Sequence, residues 1–245
     1  MTTEFRIINE LGQELRQFSA DDSGMGLSIT IGRSSSCAVS LKGLPGVDRR
    51  VGTHHVTLYY RNGGWWVKDA GTRKGIARAG KRIREVQLSS SDRVKFGSCF
   101  LVVGKEKLSN YNLYYETTIG EKRYQPLWVG KNWVGSSSLN TVQILDGTGV
   151  SRRHLCVAVG RNGISVDDAG STNGTRIDGK AVTEPVEVKP GQIFQAGKVK
   201  LWAGLREDVD KVVGQNTLLQ NKYFRLLLLL LVVLLLIILR QIFFR

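Results

Sequence analysis

With 245 residues, 42% of them hydrophobic and only four prolines, the chain has material for one large core or two ordinary ones, which excludes a Pro-rich disordered protein. Its net charge of +14 favours acidic company: nucleic acid, an anionic leaflet or phosphorylated protein, and it equally suits a membrane protein biased positive by its topology. Three cysteines, Cys37, Cys99 and Cys156, are an odd number without zinc spacing and lie in or beside apolar runs, so they read as buried, reduced thiols.

The N-terminus, Met1-Thr2-Thr3-Glu4-Phe5-Arg6, has no apolar core of signal-peptide length, and no lipidation motif is evident. Residues 4–104 then read as short alternating strands, at 5–8, 27–31, 56–60, 65–68, 94–96 and 100–103, broken by Gly, Asn and Asp. Regular short strands with turn signals predict an antiparallel sandwich. Residues 111–204 repeat the pattern. Asp69-Ala70-Gly71-Thr72-Arg73-Lys74-Gly75 aligns with Asp168-Ala169-Gly170-Ser171-Thr172-Asn173-Gly174, and His55 with His154, both at an offset of 99. Ile31-Gly32-Arg33-Ser34-Ser35 aligns with Val134-Gly135-Ser136-Ser137-Ser138 at 103, which places a four-residue insertion in the first copy, within 42–53. The expected organisation is an all-β pair of sandwich domains, 1–106 and 107–204, meeting near 105–110.

Beyond Gly204 the composition changes. Residues 205–221 mix charge with apolar side chains and read as a linker with helical potential. Residues 226–239 form an unbroken apolar run of 14, about 21 Å as a helix and short of a bilayer core of about 30 Å. From Tyr223 to Phe244 there are 22 residues, about 33 Å, with Arg225 and Arg240 placed to snorkel and Tyr223, Phe224, Phe243 and Phe244 as aromatic belts. Residues 222–245 are therefore predicted to be a single transmembrane helix, with both β domains facing the cytosol.

Two polar corners stand out within 150–177. They are Ser151-Arg152-Arg153-His154 and Ser171-Thr172-Asn173-Gly174-Thr175. Strand-like runs at 155–159 and 164–167, joined by the turn signal Arg161-Asn162-Gly163, fold the chain back so that both corners meet at one end of a sheet. Hydroxyls, amides and a guanidinium on loops over a rigid scaffold suit an acidic or phosphorylated peptide.

The S-x-x-H at 151–154 followed by S-T-N-G-T at 171–175 resembles the forkhead-associated (FHA) domain family. That resemblance implies that Ser151 and Thr172 bond the phosphate of a phosphothreonine, that Arg152 adds charge and that Asn173 bonds the peptide main chain. It also implies that His154 braces the loops, while Gly135 and Gly174 permit the tight turns. The family's Gly-Arg-Ser is Gly135-Ser136-Ser137 in this copy, so a guanidinium worth about 1.5–3 kcal/mol is missing, with Lys131, Arg153 or Arg161 as candidates to replace it.

The first copy has the opposite losses. Gly32-Arg33-Ser34 is intact, so Arg33 and Ser34 are candidate phosphate ligands and His55 the structural histidine. Gly52 heads the S-x-x-H position, however, and the turn reads Thr72-Arg73-Lys74-Gly75. The expected first domain is a protein-docking sandwich that has lost the chemistry. Arg73, Lys74, Arg78, Lys81, Arg82 and Arg84 crowd its turn region and would attract anionic headgroups or nucleic acid, but the run lacks interleaved aromatics for base stacking, so nucleic acid is disfavoured. A solvated loop explains the run equally well.

His54-His55 lacks further ligands at metal spacing, no cofactor is expected, and no nucleotide, zinc-protease or serine-hydrolase motif is present. Three readings follow. One is a membrane-anchored, non-catalytic adaptor working in a secretion or other membrane assembly of one or several copies. Its architecture is similar to the N-terminal part of the type VII secretion membrane ATPase. The second is a phosphothreonine reader in Ser/Thr kinase signalling, and the third, an enzyme, has the least support.

Overall fold

Among the described residues, alternation of apolar and polar side chains at period two makes β-strands the dominant element. The computed structural model describes residues 2–22, 28–104, 107–145 and 148–213. The first half contributes β1 (Thr2–Asn9), β2 (Glu14–Asp21), β3 (Ser28–Gly32), β4 (Val39–Ser40), β5 (Val56–Arg61), β6 (Gly64–Asp69), β7 (Ile76–Arg78), β8 (Lys81–Ile83), β9 (Glu85–Gln87), β10 (Arg93–Phe96) and β11 (Cys99–Val103). The second contributes β12 (Leu108–Glu116), β13 (Lys122–Trp128), β14 (Gly130–Gly135), β15 (Val142–Gln143), β16 (Leu155–Gly160), β17 (Gly163–Asp168), β18 (Thr175–Ile177), β19 (Lys180–Ala181), β20 (Val186–Val188), β21 (Ile193–Ala196) and β22 (Val199–Leu205).

Each half makes two sheets with the same wiring. In the first half the orders are β2-β1-β11-β10-β7-β8 and β4-β3-β5-β6-β9; in the second they are β13-β12-β22-β21-β18-β19 and β15-β14-β16-β17-β20. Among the described residues only the short pairs β3–β4 and β14–β15 are parallel. The internal repeat read from the sequence is thus a repeat of topology, strand for strand.

Each sandwich closes on its own core. Phe5, Ile7, Ile31, Leu58, Val67, Phe96 and Leu101 fill the first, and Leu113, Leu127, Val134, Val157, Val166, Phe194 and Leu201 fill the second. Strand β5 shows how the sequence dictates this: Val56 and Leu58 point inward and are buried, while Thr57 and Tyr59 between them are half-buried. The three cysteines are free thiols in these interiors. Burial pushes the Cys99 thiol up to about 12 and raises Cys156 as well, which keeps both protonated at neutral pH.

Strand β11 breaks the alternation, because all five residues of Cys99-Phe100-Leu101-Val102-Val103 are buried. One face enters the first core. The other carries Phe100 and Val102, which join Ile8 and Trp128 in a third cluster, with Leu108 against it, and so bind the two sandwiches together. The Phe100 and Trp128 rings meet edge to face at 5.5 Å, and the Arg93 guanidinium lies 4.7 Å over Trp128. The corresponding strand β22 keeps its alternation: Val199, Leu201 and Ala203 are buried, while Lys200, Trp202 and Gly204 are not.

All six strand runs expected in the first half are present. Strand β2, the short β4 and the β7–β9 segments were not anticipated. After β22, Arg206–Asp208 form one 3-10 turn and Val209–Val213 a short helix, α1, in which Lys211 pairs with Asp208 at 2.7 Å. The expected membrane-spanning segment, 222–245, lies outside the described residues. Among the described residues no helix is long and apolar enough to cross a membrane.

Candidate functional site

The hairpin of β16 and β17 places the site. Its strands pair from Leu155↔Asp168 to Gly160↔Gly163, so the residues before Leu155 and after Asp168 emerge at one rim, as expected from the sequence. There the Ser151 and Thr172 hydroxyls meet at 3.3 Å, and the Thr172 N–H donates to Ser151 Oγ at 3.0 Å. Thr172, Asn173 and Arg152 are exposed and Ser151 is partly so. The side-chain amide of Asn173 donates to the Gly149 carbonyl at 2.8 Å, tying the turn to the loop before Ser151.

His154 is the hub beneath. It is fully buried. Its Nδ1 accepts the Ser151 N–H at 3.0 Å, which leaves the proton on Nε2, 3.2 Å from the Gly174 carbonyl. One imidazole therefore bridges both corners. Burial lowers its pKa, although the Gly174 carbonyl and the Asp168 carboxylate act in the opposite direction. A second proton would also turn Nδ1 from acceptor into donor against the Ser151 N–H.

Asp168 shapes the turn itself. It accepts from the Gly170 and Ser171 N–H groups and from the Ser171 and Thr175 hydroxyls. Burial alone would raise its pKa, but the bonds from Thr175, Ser171 and Gly170 outweigh it and hold the carboxyl below its usual range. Ser171 thus faces inward to Asp168, and Thr172 is the outward hydroxyl. Gly174 sits at φ 72°, a region that favours glycine.

The loop after β14 closes the rim. The N–H groups of Ser136 and Ser137 donate to the Ser151 and Arg152 carbonyls at 3.0 and 3.1 Å. Gly135 makes the contact close: a Cβ there would lie 2.5 Å from the Arg152 carbonyl oxygen. Gly135→Ala should therefore destabilise the second sandwich by about 1–3 kcal/mol through overpacking and push the Ser151 loop outward. Urea unfolding together with the Ser151 amide shift would check this.

The candidate replacements for the missing guanidinium do not reach the rim. Arg153 stacks its guanidinium 3.4 Å over Trp133. Lys131 pairs with Ala158 near the start of β14, and Arg161 occupies the β16–β17 turn. At about 3.3 Å per residue Lys131 is thus three residues, about 10 Å, from the rim-end pair Val134↔Leu155, and Arg161 is six residues, about 20 Å, from Leu155. The basic group beside Ser151 at this rim is Arg152.

The first sandwich keeps the brace and loses the hydroxyls. His55 accepts the Gly52 N–H on Nδ1 at 2.9 Å and places Nε2 3.0 Å from the Gly75 carbonyl, repeating His154 bond for bond. Burial lowers its pKa too, against the Gly75 carbonyl and Asp69. Gly52 stands where Ser151 stands, and exposed Arg73 where Thr172 stands. Arg33 directs Nε to the Val51 carbonyl at 2.5 Å. Ser34 bonds Ser36 at 2.8 Å, and Ser36 bonds His54 at 3.0 Å. What remains at this rim is a cleft of about 680 Å³ lined by Arg49, Arg50, Thr53, His54, Arg73 and Lys74.

Part of the basic run proves to be structural. Arg82 donates to the Thr72 and Arg73 carbonyls, and Arg78 pairs with Asp92 at 2.6 Å. Among the described residues no group of three His, Cys, Asp or Glu side chains could hold a metal ion. The roles of Asp168 and Asn140 escaped sequence reasoning. The only signal for Asp168 was its recurrence as Asp69 at the offset of 99.

The protein-family model described as FHA domain matches residues 29–97 and 132–197. Among solved structures, an FHA domain analysed for phosphothreonine-dependent interactions is 18% identical, with 44% of this chain and 100% of that one covered and a TM-score of 0.35. The FHA domain of CT664 from Chlamydia trachomatis is 15% identical over 43% and 98% of the two chains, with a TM-score of 0.36. The FHA-1 domain of Rv1747 from Mycobacterium tuberculosis is 21% identical over 43% and 100%, with a TM-score of 0.32. No curated protein matches the sequence.

Proposed function

The chain belongs to the FHA domain family, and from that premise we propose that it is a non-catalytic interaction adaptor whose second sandwich takes up a phosphothreonine-bearing segment of a partner protein. The observation that carries this reading is the notch at the second rim, where the Ser151 and Thr172 hydroxyls converge at 3.3 Å above the His154 brace, with Arg152 exposed beside them. Two hydroxyls and a guanidinium form a donor-bearing cradle of the kind a phosphate dianion fills. The first sandwich, without either hydroxyl, acts by protein contact.

The adaptor is held at the cytosolic face of a membrane, in a secretion or comparable assembly. Support for this comes from the sequence: the apolar run 226–239 between Arg225 and Arg240, and the net charge of +14.

Titration of the full chain with a threonine peptide library, phosphorylated and not, tests the reading. Binding should require the phosphate and weaken with rising salt. Ser151→Ala or Thr172→Ala should each cost about 1–3 kcal/mol of affinity, the worth of one bond to a charged group. Equal affinity for both peptide sets would refute the phosphothreonine reading and leave an adaptor that docks by shape alone.

A further inference from the structure

Lys95 is an unusual residue for the outer face of a sheet. It lies on β10 with 4% of its side chain exposed, sealed in where the two sandwiches meet. Its position in the second sandwich is held by Gln195, which is only half-buried. A buried ammonium is costly unless it is paired and hydrogen-bonded. Glu10 supplies the pairing at 2.9 Å, and the hydrogen bond goes across the seam, from Nζ to the Asn140 carbonyl at 2.6 Å.

Asn140 is itself fully buried, and its side chain belongs to the site. Its amide nitrogen donates to the Arg152 carbonyl at 2.6 Å and to the Ser137 carbonyl at 3.1 Å. Its Oδ1 finds no partner among the described residues, so the amide is held in one orientation to grip Arg152, at the expense of its own oxygen. A second contact runs in parallel: Arg50, paired with Glu10 at 2.6 Å, reaches the Gln143 side chain at 3.5 Å, and Gln143 donates to the Ser136 carbonyl at 3.1 Å. The first sandwich thus grips 136–143 from both ends. Its own copy of this loop lacks such support, because Cys37 stands where Asn140 does and offers a weak thiol bond to the Thr53 carbonyl at 3.2 Å.

We propose that Lys95, with Glu10 as its counter-charge, is a positioning residue for the binding rim of the second sandwich: it fixes Asn140, Asn140 fixes the Arg152 carbonyl, and Ser151 is thereby presented at its distance from Thr172. This rests on reading the Ser151–Thr172 notch as a phosphate site. A lysine that merely glued the seam would affect stability and leave the rim unchanged.

The test uses the full chain with Lys95→Met, which keeps the stem and removes the ammonium, Asn140→Ala, and the double variant. Two quantities are read: affinity for a phosphothreonine peptide selected on the unaltered protein, and hydrogen exchange at the Ser137 and Ser151 amides without peptide. Lys95→Met should weaken the peptide about 3- to 10-fold and speed exchange at both amides about tenfold, while the β16–β17 amides hold. The double variant should bind no worse than Asn140→Ala alone, because both act through one carbonyl. Unchanged affinity and exchange with lowered global stability, or losses that add, would overturn the proposal. Absence of phosphate-dependent binding in the unaltered protein would defeat the functional reading, and the exchange measurement would still decide the brace. If Lys95→Met does not fold, Glu10→Gln removes the counter-charge that Lys95 and Arg50 share and should shift the same two amides less strongly; no shift there overturns the proposal.

Discussion

Replacing His154 with alanine should abolish the rim of the second sandwich and destabilise that sandwich by about 3–5 kcal/mol. The imidazole is fully buried and joins the Ser151 N–H to the Gly174 carbonyl. Its removal leaves a part-buried donor and a part-buried acceptor without partners, at about 1–3 kcal/mol each, together with a cavity. A domain with a typical reserve of about 5–15 kcal/mol would be brought near its unfolding threshold. Denaturant unfolding would measure the loss, and the variant should bind no phosphopeptide even where it remains folded. His55→Ala should produce a loss of the same kind in the first sandwich, since the bonds match, with no phosphate binding to lose.

The second large effect is loss of stability in mild acid. Burial lowers the pKa of both His55 and His154 from the ordinary value of 6.5. A histidine with a depressed folded-state pKa stays neutral in the fold while the unfolded chain takes up a proton. Its stabilising contribution is therefore complete above pH 6.5 and is lost progressively as the pH falls below that value towards the folded pKa. With two such groups the slope can reach about 2.7 kcal/mol per pH unit, twice the single-proton value. Unfolding midpoints should be flat from pH 8 to 7 and fall steeply below about 6.5. In a His154→Ala background the fall should be about half as steep per unit. The depressed Asp168 carboxyl adds a separate decline, because its bonds to the 170–175 turn are lost when it is protonated below its ordinary value of 3.8. A stability that rose on acidification through pH 6 would contradict the buried, neutral assignment of both rings.

Much of this molecule was legible in the sequence because it is encoded locally. The apolar alternation of residues such as 56–60 announces strands, and the offset of 99 from His55 to His154 announces the repeat. The two polar corners flank one hairpin, so their meeting follows from its pairing alone. What escaped is encoded by contacts distant in the chain. Strand β2 reads Glu-Leu-Arg-Gln-Phe-Ser-Ala-Asp, and only its pairing with β1 at the sheet edge makes it a strand. Arg153 follows Arg152 directly and looked equally available, yet Trp133 on the neighbouring strand captures its guanidinium. Lys95 carries no local mark of burial; it is buried because a second sandwich lies over it. Cys99–Val103 did hold a clue to that covering, since five consecutive apolar residues are too many for a strand with one wet face.

The seam built on Phe100 and Trp128 also sets a fixed gauge. With aromatic packing and the buried Lys95–Asn140 hydrogen bond holding the halves together, the two rims cannot scissor as they would on a slack tether. A bivalent partner would have to space its two attachment points to suit this caliper, and one that did so would gain avidity without having to order a linker in the process.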